Sequence, residues 1–269
     1  MSIDPKTLPR DITSYDLLKT VAVILMLVDH AGYYFFPDNE WWRVFGRFCV
    51  PIWFFLIGYA RSRDLDPRLW TSLVILLGAN IITGMSLLPL NIMATMIITR
   101  LTIDHVARFA SQNRVYMAMA CLALSGLAMS TGMFFEYGTL GIMMAYFGWL
   151  VRRQDEIPDG HQMTKAYLIM SYVCFVILQV FGFNFQGMQL YVFLSGTLAV
   201  MGILLNFKPQ TYPVVTQRLG PVAAVLRFAG RCTPEIYTAH LVLYKFLGLF
   251  LIEGRQQFFD WKLFSANGF

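Results

Sequence analysis

Apolar residues run along this chain in long, nearly unbroken blocks separated by short polar joints, at about residues 15–36, 44–60, 69–88, 91–104, 115–133, 137–151, 166–182, 188–206 and 235–252. A helix needs about 20 apolar residues to cross the hydrocarbon of a bilayer, so the pattern predicts nine spanning helices. The 91–104 block is short and carries Arg100 and Asp104, while 219–230 is semi-apolar and suits an interfacial or re-entrant helix. The count therefore ranges from eight to ten. Joints at Pro89, 134–136 and 183–186 are so short that neighbouring helices must form hairpins, leaving no room for a separate soluble domain. The expected fold is all-α, a polytopic integral membrane helical bundle forming one domain over residues 1–269.

Composition agrees. With 57% hydrophobic residues, 14% charged residues and a mean hydropathy of +0.55, the chain carries more apolar surface than a soluble domain buries. The first block follows a polar segment, is too long and too aromatic at its far end for a cleavable signal, and has no small-residue cleavage site behind it. It is expected to remain as a helix. Cys49, Cys121, Cys174 and Cys232 lie in or beside separate blocks without paired spacing, so neither a disulfide framework nor a metal site is expected.

The net charge of +5 would hint at nucleic acid in a soluble protein, yet topology accounts for it. With the N-terminus in the cytoplasm, fourteen basic residues from Lys6 to Arg231 fall on the inside, against only Arg43, Arg255 and Lys262 outside. That skew follows the positive-inside rule, and it predicts a cytoplasmic N-terminus, an outward C-terminus and no nucleic-acid partner.

The first block holds the most informative chemistry. Lys19 and His30 are eleven residues apart, so on one helix they fall within about 20° of the same face and about 16 Å apart along the axis. Ionisable groups inside a membrane are costly unless they face a protein interior or a wet cavity. The axial gap approaches the length of a phosphopantetheine arm. Lys19 could thus hold the phosphates of a coenzyme A thioester while His30 acts as general base at the acyl end. The plainer alternatives are that Lys19 snorkels to the headgroups and that His30 is a hydrogen-bonded core residue.

Other candidates group around this pair. Arg47, about one turn into the second block from the outer side, should reach the depth of His30 and either stabilise a developing oxyanion or pair with Asp29, a bond that would also simply tie two helices. Asp29 lies 100° round the helix from His30, so the imidazole needs a partner from another helix. Arg61, Arg63 and Arg68 suit coenzyme A phosphates, although topology alone puts arginines there. His240, about one turn in from the cytoplasm, would contact the cofactor or line its tunnel, or make a packing hydrogen bond. His105 and His161 read as solvated loop residues.

The Lys19-x10-His30 pair resembles the signature of the membrane acyltransferase-3 superfamily, and its surroundings resemble the TraX family of pilin acetylases more closely. The matching residues are Asp29, His30, Gly32, Phe36, Pro37, Arg43, Gly46, Arg47, Pro51, Ile52 and Phe55, then Tyr137, Gly138 and Gly141, and finally 236–240 with Tyr237 and His240. The resemblance implies transfer of an acetyl group from acetyl-CoA, in a bacterial inner membrane, to the N-terminal amine of a pilin-like subunit. The candidate site pairs a catalytic set of His30, Arg47 and Asp29 with cofactor-binding Lys19, Arg61, Arg63 and His240, among membrane lipids and without metal. The middle of the chain departs from the pattern, especially 91–114 and the Trp41–Trp42 pair, which leaves the hydroxyl of an envelope glycan or lipid as a second acceptor. A small-solute transporter would also explain intramembrane charge, but such proteins usually show repeats or Gly/Pro-broken midplane helices, and the chain has no clear internal repeat.

Overall fold

The computed structural model describes residues 9–251 and 258–264. Lys6, Arg255 and the remaining parts of the 253–269 tail lie outside the described residues. Among those residues the only regular structure is helix: α1 (Ser14–Phe35), α2 (Trp41–Gly46), α3 (Cys49–Tyr59), α4 (Pro67–Ile82), α5 (Ile92–Ala110), α6 (Arg114–Gly126), α7 (Ala128–Gly132), α8 (Gly138–Arg153), α9 (Gly160–Phe183), α10 (Gly187–Leu205), α11 (Pro213–Leu219), α12 (Pro221–Arg231) and α13 (Thr233–Leu251). Every apolar block contains a helix, although in the 69–88 block the helix ends at Ile82. Helices α1, α9 and α10 are long and apolar enough to cross a membrane.

Local signals set the helix starts. Thr13 and Asp16 form a reciprocal capping box ahead of α1, Asp66 caps α4 just before Pro67, and Asn91 and Asn113 cap α5 and α6. The 44–60 block, expected as one helix, is broken between Gly46 and Cys49. Pro51 explains the break: it has no N–H to offer the carbonyl of Arg47 and its ring crowds that carbonyl. The Arg47 carbonyl instead accepts from Val50 N at 3.2 Å. The 115–133 block likewise divides into α6 and α7.

At the centre, α3 lies against α8. All eleven residues of α3 are buried, and so is most of α8. Gly148 lets them meet closely, since a Cβ there would fall on the Phe55 carbonyl. Around this pair the outer helices keep large apolar side chains exposed, including Val74, Leu122, Phe181, Tyr191 and Ile203. An apolar exterior of this kind matches lipid rather than water.

The first and last described segments lie at opposite ends of the bundle. Residues near the N-terminus pair with the 206–212 segment, through Ser14 N to Gln210 O at 2.9 Å and Tyr212 N to Ile12 O at 2.8 Å. Residues 258–264 instead meet the 82–90 connection, through Leu87 N to Lys262 O at 3.0 Å and Leu88 N to Leu263 O at 2.8 Å, and Leu90 in turn bonds Phe134 and Glu136. The 219–230 stretch forms most of α12, an 11-residue helix packed on the first turns of α1. At 1.5 Å per residue it is too short to cross a bilayer.

Candidate functional site

A cavity of about 250 Å³ opens among α1, α3, α4, α5, the start of α8 and the α12–α13 junction. Lys19, Asp66, Arg68, Arg100 and Arg231 line it towards the N-terminal end, and Asp29, His30, Glu136 and Tyr137 line it at the other. Met26, Trp53, Leu56, Met93 and Met96 supply apolar wall between them. Because α1 is continuous from Ser14 to Phe35, Lys19 and His30 keep their separation of about 16 Å along one face, and both face this space.

The near end is cationic. Arg231, closing α12, makes a bidentate pair with the buried carboxylate of Asp16, at 3.0 and 3.1 Å. Arg68, in the first turn of α4, donates to Asp66 at 2.9 Å and reaches Glu235 on α13 at 3.3 Å. Burial pushes the Asp66 carboxyl up, but the hydrogen bonds from the Arg68 side chain and backbone outweigh it and hold the group below the usual carboxylate range. Arg100 donates to the Asp64 carbonyl at 3.2 Å, while its Nε is buried without a hydrogen-bond partner. Lys19 has no carboxylate within ion-pair distance among the described residues. Four cations and one carboxylate, Asp66, line this end of the cavity, with Asp16, Asp64 and Glu235 behind them. Such a wall suits a polyanion.

The far end is built around two junctions. Where Pro51 breaks the second block, Arg47 and Arg43 converge on the buried Asp29: Arg43 Nη1 donates to Oδ2 at 2.8 Å, and Arg47 Nε lies 3.3 Å from Oδ1. Gly46 makes this approach feasible, because a Cβ there would strike the Asp29 side chain. Both guanidinium groups also sit over the Phe183 ring, at 4.9 and 4.4 Å. The second junction is the turn before α8. Tyr137 takes the left-handed conformation there, with φ 66°, and its hydroxyl accepts from Arg47 Nη1 at 2.7 Å. Glu136 beside it accepts from Ile92 N at 2.9 Å, tying the turn to α5.

The imidazole of His30 finds its partner on α13. His30 Nδ1 and His240 Nε2 are 2.7 Å apart, and His240 Nδ1 is 2.7 Å from the Ile236 carbonyl. Tyr237 and Tyr244 pack edge-on against this pair.

Several positions differ from the sequence reading. His240 is beside His30 at the far end, seven residues into α13, rather than about one turn in from the cytoplasm. Arg61 is exposed and absent from the cavity wall. Arg63 turns back to cap α3, donating to the Ile57 and Ala60 carbonyls at 2.9 and 2.8 Å, and pairs with Asp104 at 3.0 Å. The last carbonyls of a helix lack intrahelical donors, and Arg63 is near enough to supply them. Arg47 sits at the α2–α3 junction rather than a turn inside a helix. Sequence reasoning assigned no role to Arg100, Arg231 or Glu136, although a charge within an apolar block marked Arg100. His105 is exposed, and His161 makes an exposed pair with Asp155 at 2.7 Å. Among the described residues no cluster of His, Cys, Asp and Glu could hold a metal ion.

A family model described as TraX protein matches residues 14–247. An uncharacterized protein of Rickettsia prowazekii (strain Madrid E) is 48% identical over 48 residues, covering 18% of this chain and 19% of that protein. The match spans about a fifth of that relative's length. No solved structure matches the chain. The extent of the family match carries the identification: the chain belongs to the TraX family.

Proposed function

We propose that this member of the TraX family is an integral-membrane acetyltransferase of the acyltransferase-3 type. It moves an acetyl group from cytoplasmic acetyl-CoA to an acceptor in or across the membrane, the N-terminal amine of a pilin-like subunit. The observation that carries this reading is the single cavity joining an excess of cations at one end to the imidazole of His30 at the other. In this reading the protein is a multi-pass protein of a bacterial inner membrane, with its N-terminus and the cationic mouth on the cytoplasmic side, where the basic residues concentrate.

The donor set fits the group. Lys19, Arg68 and Arg100 would hold the phosphates, and the unpartnered Arg100 Nε and unpaired Lys19 are groups that an anion would satisfy. When bound, acetyl-CoA supplies the acyl thioester. Met26, Trp53, Leu56, Met93 and Met96 give the path between the two ends an apolar wall. His30 accepts the proton of the attacking amine as the new N–C bond forms, and returns it to the sulfur as the C–S bond breaks. Two guanidinium groups against one Asp29 carboxylate leave a net positive charge next to His30. That charge favours the negative oxygen developing on the acyl carbon, and Tyr137 fixes the Arg47 fork that delivers it.

The test is transfer of radiolabelled acetyl from acetyl-CoA to a peptide carrying a free pilin-type N-terminus, with the full chain in proteoliposomes. Wild type should label the amine, and His30→Ala should lose about 10²-fold or more of the rate while keeping its unfolding temperature. Transfer by His30→Ala at the wild-type rate would remove the general base. Labelling of a glycan or lipid hydroxyl but not the peptide would overturn the pilin acceptor.

A further inference from the structure

We infer that His240 is a positioning residue that fixes the tautomer of His30 through a relay running from the Ile236 carbonyl. The inference rests on the general-base reading of His30. The bonded nitrogens are 2.7 Å apart, the ring centroids 5.0 Å and the planes 16° from parallel. The rings therefore meet edge to edge along the N···N line, since the centroid distance leaves only the two centre-to-nitrogen radii beyond the bond. Stacked rings would bring the centroids closer than this while separating the nitrogens. The contact is an in-line hydrogen bond.

Its direction follows from the partners. A carbonyl oxygen only accepts, so His240 Nδ1, 2.7 Å from Ile236 O, carries the proton. In a neutral imidazole the other nitrogen is then an acceptor, so His240 Nε2 receives a hydrogen bond and His30 Nδ1 must donate it. That leaves Nε2 as the one lone pair of His30, a residue lining the cavity. The Ile236 carbonyl is held four residues back on the same helix, so the direction is anchored by backbone. When His30 takes a proton at Nε2, its Nδ1–H still donates to His240, and the new charge is spread along the relay. Asp29, next to His30 in sequence, is occupied by Arg43 and Arg47.

The variants are His240→Gln, whose Oε1 reaches the place of Nε2 and accepts the same bond, and His240→Phe, which keeps an aromatic ring without an acceptor. Nitrogen-15 spectra of histidine-labelled full chain in detergent report the tautomer, and with only four histidines the His30 signals are identified by their loss in His30→Ala. Wild type should show His30 protonated at Nδ1 and bare at Nε2. In His240→Phe that preference should disappear, and kcat for acetyl transfer should fall about 10²-fold with KM for acetyl-CoA unchanged. His240→Gln should keep both within about tenfold. A wild-type His30 protonated at Nε2 overturns the inference, whatever becomes of the variants, and so does His240→Phe raising KM while sparing kcat. The spectra need no turnover, so a chain that transfers no acetyl would defeat the proposed activity and leave the relay to be decided by the tautomer alone.

Discussion

Lys19 is a half-buried cation on an apolar helix without a carboxylate of its own, next to a cavity that collects three arginines. Arg63 is the reverse case, an arginine whose donors are spent on helix carbonyls and on Asp104. The two should separate in one experiment. Phosphate contacts far from the reacting carbon contribute mainly uniform binding. Lys19→Ala should therefore weaken acetyl-CoA affinity about tenfold, roughly the worth of one charge-assisted contact, with kcat nearly unchanged. Arg63→Ala should leave affinity intact and lower thermal stability. Isothermal titration of both variants in detergent decides it, and equal affinities for Lys19→Ala and wild type would reduce Lys19 to its aliphatic stem.

Between elements, the α3–α8 contact sets how the cavity walls stand. Its closeness depends on a missing side chain at Gly148, where any Cβ meets backbone rather than a flexible tip. Gly148→Leu should cost about 3 kcal/mol or more, the upper range for overpacking a core, read as a fall in the unfolding temperature of detergent-solubilised protein. Gly78, on α4, has open space around its Cα. Gly78→Ala should be neutral or stabilising by up to about 1 kcal/mol through helix propensity. A Gly148→Leu protein as stable as wild type would mean that the close approach is dispensable. The break before α3 also belongs to this scale: Pro51 was visible in the sequence, but its effect was to end one helix and begin another around Arg47, which made an arginine expected one turn inside a helix a junction residue.

For the whole molecule, residues 9–13 and 258–264 occupy opposite ends of the bundle, so reporters fused to the two termini should read opposite sides of the membrane, the N-terminal one cytoplasmic. Both reporters on one side would contradict that arrangement. Much of the architecture was legible in the chain itself. The apolar blocks and capping residues mark where helices lie, and the shared face of Lys19 and His30 follows from a rise and a rotation per residue, because both depend on hydrogen bonds and side chains only a few positions apart. Tertiary packing decided the rest. His240 meets His30 across 210 residues of sequence, Arg100 and Arg231 come to the cavity from α5 and α12 while Arg63 leaves it, and Arg43 joins Arg47 on Asp29. Which helix faces meet is chosen by interhelical contacts, by glycines that permit close approach and by the pairing each buried charge requires, and none of these is encoded at a fixed spacing along the chain.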